Sequence, residues 1–293
     1  MSSLQYKIWL ALLRANYRRN DRKESHDLHL GKAWEMPVPP RILKRRNKIE
    51  EFSIESRSVF TCHPEKLTSK KVILYFHGGG YYTRTILPHW LFIRKLSNRF
   101  GMKVILPDYP TAPVYNYLQT YNFAIQTYQN LIRSYDPKDI YFFGDSAGGG
   151  LALTLAQGIK KESLPQAAGL FLLSPWLDVS MTNPEIKDLE SKDYMLSLDS
   201  LLIAAQLFAE EADLKNPIIS PLYDDLAGLP EIYLFIGTRD ILLPDCRKFQ
   251  ELARAAGTRL TYLEYDDMVH CWMLFPIPEA KSVLNKIQEY LVP

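Results

Sequence analysis

Short, wholly apolar runs recur through the middle of the chain: Val72–Phe76, Val104–Leu106, Ile140–Phe143, Leu170–Leu173, Ile232–Ile236 and Leu260–Leu263. Between and after them, roughly residues 88–99, 117–134, 147–160, 244–256 and 278–291 carry helical spacing. Strands that are apolar on both faces and alternate with helices predict a mostly parallel sheet covered on each side. Earlier, after the break Pro37-Val-Pro-Pro40, residues 49–62 alternate as two antiparallel strands. The expected fold class is therefore α/β, with an eight-stranded, mostly parallel sheet and helices on both faces.

One interval breaks the rhythm. From Ser174 to Glu231 about 55 residues intervene, far more than an ordinary connection needs. Its middle, Ser200–Glu211, reads as an amphipathic helix through Leu201, Leu202, Ala205, Leu207 and Phe208. The expected organisation is an N-terminal cap segment over residues 1–48 and a catalytic domain over 49–293, with a cap insertion at about 180–215. Function is expected at the carboxyl edge of the sheet, where open α/β folds bind their ligands.

Composition narrows the class. At 47% hydrophobic and 23% charged residues, the chain is neither disordered nor a coiled coil. No apolar run approaches the roughly 20 residues that cross a bilayer. The patch Ile8–Leu13 is too brief for a signal sequence and lacks a small-residue cleavage site, so a cytoplasmic protein is expected. Cys62, Cys246 and Cys271 have no metal-ligand spacing, and their odd number fits a reducing compartment better than a disulfide framework. Residues 1–50 hold 12 Lys and Arg against 5 Asp and Glu, a net of +7, while the rest holds 23 against 28, a net of −5. The preferred reading of this basic segment (Arg14, Arg18, Arg19, Arg22, Lys23 and the Arg41–Lys48 cluster) is a helix packed over the catalytic domain with a solvated basic face. Contact with anionic lipid, through Ile8, Trp9, Leu12 and Leu13, is the lesser reading. Nucleic acid is not expected as a partner, because no recognition motif accompanies the charge. The oligomeric state stays open, a homodimer being one option.

The chemistry concentrates at Gly144-Asp145-Ser146-Ala147-Gly148, between the aromatic run Tyr141–Phe143 and an apolar helix. A serine on a strand-to-helix turn, flanked by small residues, has the form of a nucleophile elbow. It needs a base, and the base needs an orienting acid. Of the six histidines, His26, His29, His63, His77 and His89 come early, and only His270 follows the last strand. Asp240 follows the strand Ile232–Ile236 and is preferred to Asp245, Asp266 and Asp267. Ser, Asp and His then leave the same sheet edge in that order. His77-Gly78-Gly79-Gly80, directly after Val72–Phe76, offers backbone N–H groups unobstructed by side chains, as an oxyanion site requires.

With His77-Gly78-Gly79-Gly80, Asp108-Tyr109, Ala112-Pro113, Gly144–Gly149, Ser174-Pro175-Trp176, Asp240 and His270, the chain resembles the hormone-sensitive-lipase-like branch of the α/β-hydrolase superfamily. The resemblance implies Ser146, Asp240 and His270 as the catalytic triad and the N–H groups of Gly79, Gly80 and Ala147 as the oxyanion hole. It also implies structural roles for His77 and Asp108, a cap, no metal or cofactor, and hydrolysis of short- to medium-chain acyl esters through an acyl-enzyme. Tyr81, Tyr82, Asp145, Trp176 and Trp272 are expected around the substrate pocket. Amide or formamide hydrolysis by the same triad is the alternative, followed by a non-catalytic small-molecule receptor on the same scaffold. If His270 is the base, activity rises through an apparent pKa of roughly 6–7. Three departures from the family pattern stand out. Pro110 and Val114 replace the usual Arg and Glu after Asp108-Tyr109, so that loop needs other contacts. Asp267 replaces a Gly and brings a carboxylate towards the site. Trp272 stands where Phe often follows the histidine.

Overall fold

Each of the six short apolar runs in the middle of the chain is a strand. In the computed structural model, which describes residues 2–20 and 32–291 without the side chains of residues 16–20, 45 and 46, β1 (Ile49–Ile54) and β2 (Arg57–Cys62) lead to β3 (Val72–Phe76) and β4 (Lys103–Pro107). The strands β5 (Ile140–Asp145), β6 (Gly169–Leu173), β7 (Ile232–Gly237) and β8 (Leu260–Tyr265) follow. They form one eight-stranded sheet in the order β1-β2-β4-β3-β5-β6-β7-β8. β2 pairs antiparallel with β1 and with β4, and the other neighbours are parallel. Of the residues singled out in the sequence, Arg22, Lys23, His26 and His29 lie outside the described residues, as do the side chains of Arg18, Arg19, Arg45 and Arg46.

Successive side chains of a strand point to opposite faces, and this alternation builds two cores. Val72, Leu74 and Phe76 of β3 join Phe142 of β5, Leu170 and Leu172 of β6, and Ile232, Leu234 and Ile236 of β7 in one. Ile73 and Tyr75 join Phe143, Phe171 and Phe235 in the other. The first face is covered by α4 (Tyr117–Leu131), α5 (Ala147–Lys161) and α8 (Leu243–Ala255), whose core the insertion helix α7 (Leu198–Ala209) joins, and the second by α1 (Leu4–Asn20), α3 (Leu87–Phe100) and α9 (Pro278–Leu291). Short helices α2 (Arg41–Arg46) and α6 (Lys187–Glu190) lie in the N-terminal segment and the insertion. Each large apolar side chain buried this way contributes about 1.5–3 kcal/mol.

Helix ends follow local chemistry. The insertion helix α7 starts two residues before the expected Ser200, because the Ser197 hydroxyl caps it by accepting from the Ser200 N–H at 3.3 Å. It stops at Ala209 because Glu210 adopts a positive φ of 54°. The helix expected over 117–134 ends at Leu131; its start is fixed by Asn116, which accepts from the N–H groups of Leu118 and Gln119.

The β5–α5 junction depends on missing side chains. A Cβ at Gly144 would stand 2.1 Å from the Gly148 carbonyl oxygen, and one at Gly148 would stand 2.1 Å from that of Phe76. β3, β5 and the start of α5 therefore touch backbone to backbone. Gly148→Ala is expected to cost about 1–3 kcal/mol by overpacking, seen as a fall of roughly 2–10 °C in the unfolding midpoint. An unchanged midpoint would contradict this packing.

Candidate active site

The parallel register sets four loops side by side. Phe76 of β3 aligns with Gly144 of β5, Asp145 with Leu173 of β6, Leu173 with Phe235 of β7, and Gly237 with Tyr265 of β8. The loops carrying Gly78–Gly80, Ser146, Asp240 and His270 thus leave one edge of the sheet. Ser146 sits at φ 54°, ψ −124°, a region that costs a non-glycine residue about 1–3 kcal/mol. Its neighbours hold it there: its N–H donates to the Leu173 carbonyl at 2.9 Å, and its own carbonyl accepts from the Trp176 N–H at 2.9 Å. The Asp240 and His270 loops are joined by the Arg239 N–H, which donates to the Met268 carbonyl at 3.0 Å.

His270 and Asp240 form a buried pair. Asp240 Oδ2 lies 2.9 Å from His270 Nδ1, and its Oδ1 accepts from the Leu242 N–H at 3.0 Å. An Nδ1–H donated to the carboxylate leaves the Nε2 lone pair available to take a proton. Burial alone would lower the His270 pKa, but the Asp240 carboxylate, by charge and by hydrogen bond, carries it well above the ordinary 6.5. Nε2 stands 3.3 Å from Cys271 Sγ. That thiol is pushed up to about 12 by burial, so it is uncharged at neutral pH, and Asp240 is the group that carries the shift. Ser146 and His270 line the same cavity, though among the described residues no hydrogen bond joins them. Such bonds are often loose in the free enzyme.

The glycine loop is tied to the elbow by Asp145. Its Oδ1 accepts from the Tyr75 hydroxyl at 2.5 Å and the Gly78 N–H at 3.0 Å, and its Oδ2 lies 3.4 Å from His89 Nε2. Burial would raise the Asp145 pKa, but His89 and Tyr75 bring it below the usual carboxylate value. Gly79 and Gly80 have φ of 116° and 61°, and a Cβ at Gly79 would meet the Thr83 carbonyl oxygen at 2.5 Å. Among the described residues, no hydrogen bond takes up the N–H groups of Gly79, Gly80 or Ala147. His77 is buried behind this loop, stacked on Tyr109 at 4.3 Å, and burial lowers its pKa to about 4.

A cavity of about 290 Å³ opens onto these residues. Gly79, Gly80, Asp145, Ser146 and His270 line it, and the rest of the wall is mostly apolar. Of the expected pocket residues, only Asp145 belongs to this lining. Tyr81, Trp176 and Trp272 are wholly buried instead. Tyr81 stacks on Phe208 at 4.0 Å, Trp176 donates to Met181 Sδ, and Trp272 packs on Tyr265. Tyr82 lies beneath Lys32 at 4.5 Å. These aromatic residues pack the frame, and the cavity wall comes from Met195, Leu196, Leu201 and Ala204 of the insertion, with Leu274 and Phe275 after His270.

The departures also resolve. Asp108 is held by Arg84, whose Nε donates to Oδ1 at 2.9 Å, and by Arg57, whose Nε donates to the Asp108 carbonyl at 2.7 Å. These two arginines supply the contacts the altered loop needs. Asp267 does not enter the cavity: Arg239 Nε donates to its Oδ1 at 2.6 Å, and its carbonyl accepts from the Tyr6 hydroxyl of α1. Asp245 pairs with Asn183 at 3.0 Å, and Asp266 with the Thr238 hydroxyl at 3.4 Å, which leaves Asp240 as the acid on His270. The sequence reading missed Asp193. Its Oδ1 accepts from the N–H groups of Met195 and Leu196 at 2.8 and 3.1 Å, and its Oδ2 from Ile241 at 2.9 Å. Burial, and then the charge of Asp240, push it up to about 6. An isolated Asp inside an irregular insertion carries no pattern that would have revealed this tie.

The family model for the α/β hydrolase fold matches residues 73–274. An esterase of Acinetobacter venetianus is 32% identical over 227 residues, covering 76% of this chain and 75% of that protein. An acetyl-hydrolase of Streptomyces hygroscopicus is 26% identical, covering 75% of each. Among solved structures, a hormone-sensitive lipase from a metagenome library superposes with a TM-score of 0.85 at 26% identity, over 97% of each chain. An esterase from the bacterial hormone-sensitive lipase family superposes with a TM-score of 0.84 at 27% identity, over 96% of each. The chain belongs to the α/β-hydrolase fold family, in its hormone-sensitive-lipase-like branch of carboxylic ester hydrolases.

Proposed function

We propose that the protein is a serine ester hydrolase that cleaves short- to medium-chain acyl esters through an acyl-enzyme on Ser146. The observation that carries this reading is the buried Asp240–His270 pair, whose imidazole lines the same apolar cavity as a serine held at a strained strand-to-helix turn. In the reaction His270 Nε2 turns from the Cys271 thiol to the Ser146 hydroxyl and takes its proton as Oγ attacks the ester carbonyl. The N–H groups of Gly79, Gly80 and Ala147 receive the oxyanion; one such donor is worth about 3–4 kcal/mol at the transition state. His270 then protonates the leaving alcohol, and water repeats the sequence on the acyl-enzyme. Asp240 keeps the ring in the required tautomer and stabilises the imidazolium.

The cavity, at about 290 Å³, lies at the small end for ligand sites, which supports the limit on acyl length. Residues 1–48 and the insertion at about 180–215 are read as the cap: Leu201 and Ala204 wall the cavity directly, and Trp9 of α1 packs on the cavity residue Phe275 at 4.7 Å. No helix of the described residues is long and apolar enough to cross a membrane. Three free, buried cysteines support a reducing, cytoplasmic setting.

Two experiments test this reading. With p-nitrophenyl esters graded by acyl length, wild-type turnover is expected to peak at short to medium chains. Ser146→Ala is expected to lower kcat by at least about 10⁴-fold; equal rates for the two proteins would overturn the mechanism. Because Asp240 raises the His270 pKa and the neutral ring is the base, kcat/KM is expected to climb with pH through a midpoint above 6.5, higher than an unperturbed histidine would give. Asp240→Asn should move that midpoint down and reduce the rate on the order of 10⁴-fold. A midpoint unmoved by this substitution would show that His270 does not set the profile.

A further inference from the structure

We propose that the outward face of α1, with the exposed apolar residues of the segment that follows, docks on an anionic phospholipid surface. The inner side of α1 buries Tyr6 and packs Trp9, Leu10 and Leu13 against the core. On the opposite side Leu4, Ile8 and Leu12, spaced one turn apart, are 74%, 55% and 65% exposed. The expected packing of α1 over the domain with exposed basic positions holds for Lys7 and Arg14, and beside them the structure also presents this apolar ridge. Trp34, Val38 and Ile42, from the segment that follows, are exposed as well. From Leu4 to Leu12 the ridge runs about 12 Å, and it is convex and exposed rather than concave, so it suits a surface better than a small ligand.

Both apolar elements adjoin the cavity wall. Trp9 packs on Phe275, which lines the cavity. Glu35 bridges to Ile86, another lining residue, and the Met36 N–H donates to the Thr85 carbonyl at 2.6 Å. A surface meeting these elements would therefore lie beside the cavity that holds Ser146.

Charge selects the occupant. Lys7 and Arg14 on α1, and Arg41 and Lys44 on α2, are exposed. They belong to the segment of net +7 on a chain whose remainder is −5. A two-fold contact between copies of this chain brings the same net-basic segment of each together, so like charge would oppose it. An anionic lipid surface attracts each of these cations within a Debye length and takes the ridge into its headgroup boundary, the arrangement of an interfacial helix that lies on a membrane without spanning it.

Cosedimentation of the full chain with phosphatidylcholine vesicles, with and without phosphatidylglycerol, tests this. Wild type is expected to bind the anionic vesicles at least roughly tenfold more tightly than the neutral ones. The Leu4→Gln/Ile8→Gln/Leu12→Gln variant is expected to lose at least roughly tenfold of that affinity while keeping its unfolding midpoint. Lys7→Glu/Arg14→Glu should lower the preference for anionic vesicles at least roughly tenfold and leave the ridge intact. Docking needs no catalysis, so Ser146→Ala protein is expected to bind vesicles like wild type, which keeps a failure here distinct from a failure of the hydrolase mechanism. Wild type that stays in the supernatant, or a triple variant that binds as wild type does, would overturn the proposal. So would a dimer seen by analytical ultracentrifugation and abolished by the triple variant, which would assign the ridge to a second copy of the chain.

Discussion

The backbone of Ser146, held at φ 54° and ψ −124°, is the constraint on which the rest of the site depends. No local preference favours it in a non-glycine residue. It persists because β5 is locked in parallel register between β3 and β6, because the Ser146 N–H is taken by Leu173, and because Gly144 and Gly148 let three backbones touch. The strain is offset by core packing elsewhere, a pattern seen at functional sites. Its consequence is a hydroxyl beside the first turn of α5, where unpaired N–H groups favour developing negative charge.

Around that turn the polar groups form two buried ties within an apolar frame. Asp145 links the elbow to the glycine loop through Gly78, and Asp193 links the cavity wall at Met195 and Leu196 to the loop bearing Asp240. Burying a carboxylate is costly unless its lone pairs are used, and both carboxylates accept at both oxygens or face a histidine. The same economy governs His270: a buried imidazole resists charging, and the Asp240 carboxylate reverses that resistance. The imidazole is thus raised chiefly by the Asp240 carboxylate, with the Cys271 thiol uncharged at its other side.

The elements with a period were legible from sequence. The parallel strands, entirely buried in β3, β6 and β7, leave an unbroken apolar run, and the loops that follow inherit their place from the sheet register. This is why the sequence alone assigns Ser146, Asp240, His270, Gly79 and Gly80 to one edge. The cavity wall was not legible in the same way. Aromatic residues close in sequence to the motifs, such as Tyr81 and Trp272, were expected at the mouth, yet a large ring next to a tight turn packs more favourably beneath it than into an open cavity. The residues that do form the wall, among them Met195, Leu201 and Ala204, lie in the irregular insertion, whose path over the sheet is set by tertiary contacts such as the Asp193–Ile241 bond. The apolar stripe expected on α1 was legible only in part for a related reason: Ile8 and Leu12 face outward while Trp9 and Leu13 pack inward, and sequence does not show which side of such a helix meets the protein.

The central claim is that Ser146, and no other group in the cavity, is the activated nucleophile. Cys271 is the pertinent competitor, because its sulfur is the atom nearest to His270 Nε2 among the hydrogen-bond contacts. Peptide mapping of the protein after reaction with a fluorophosphonate distinguishes the two directly. The account predicts a single phosphonyl adduct on Ser146, formed by wild type and nearly lost in His270→Ala. An adduct on Cys271, or a folded protein left unlabelled, would contradict it.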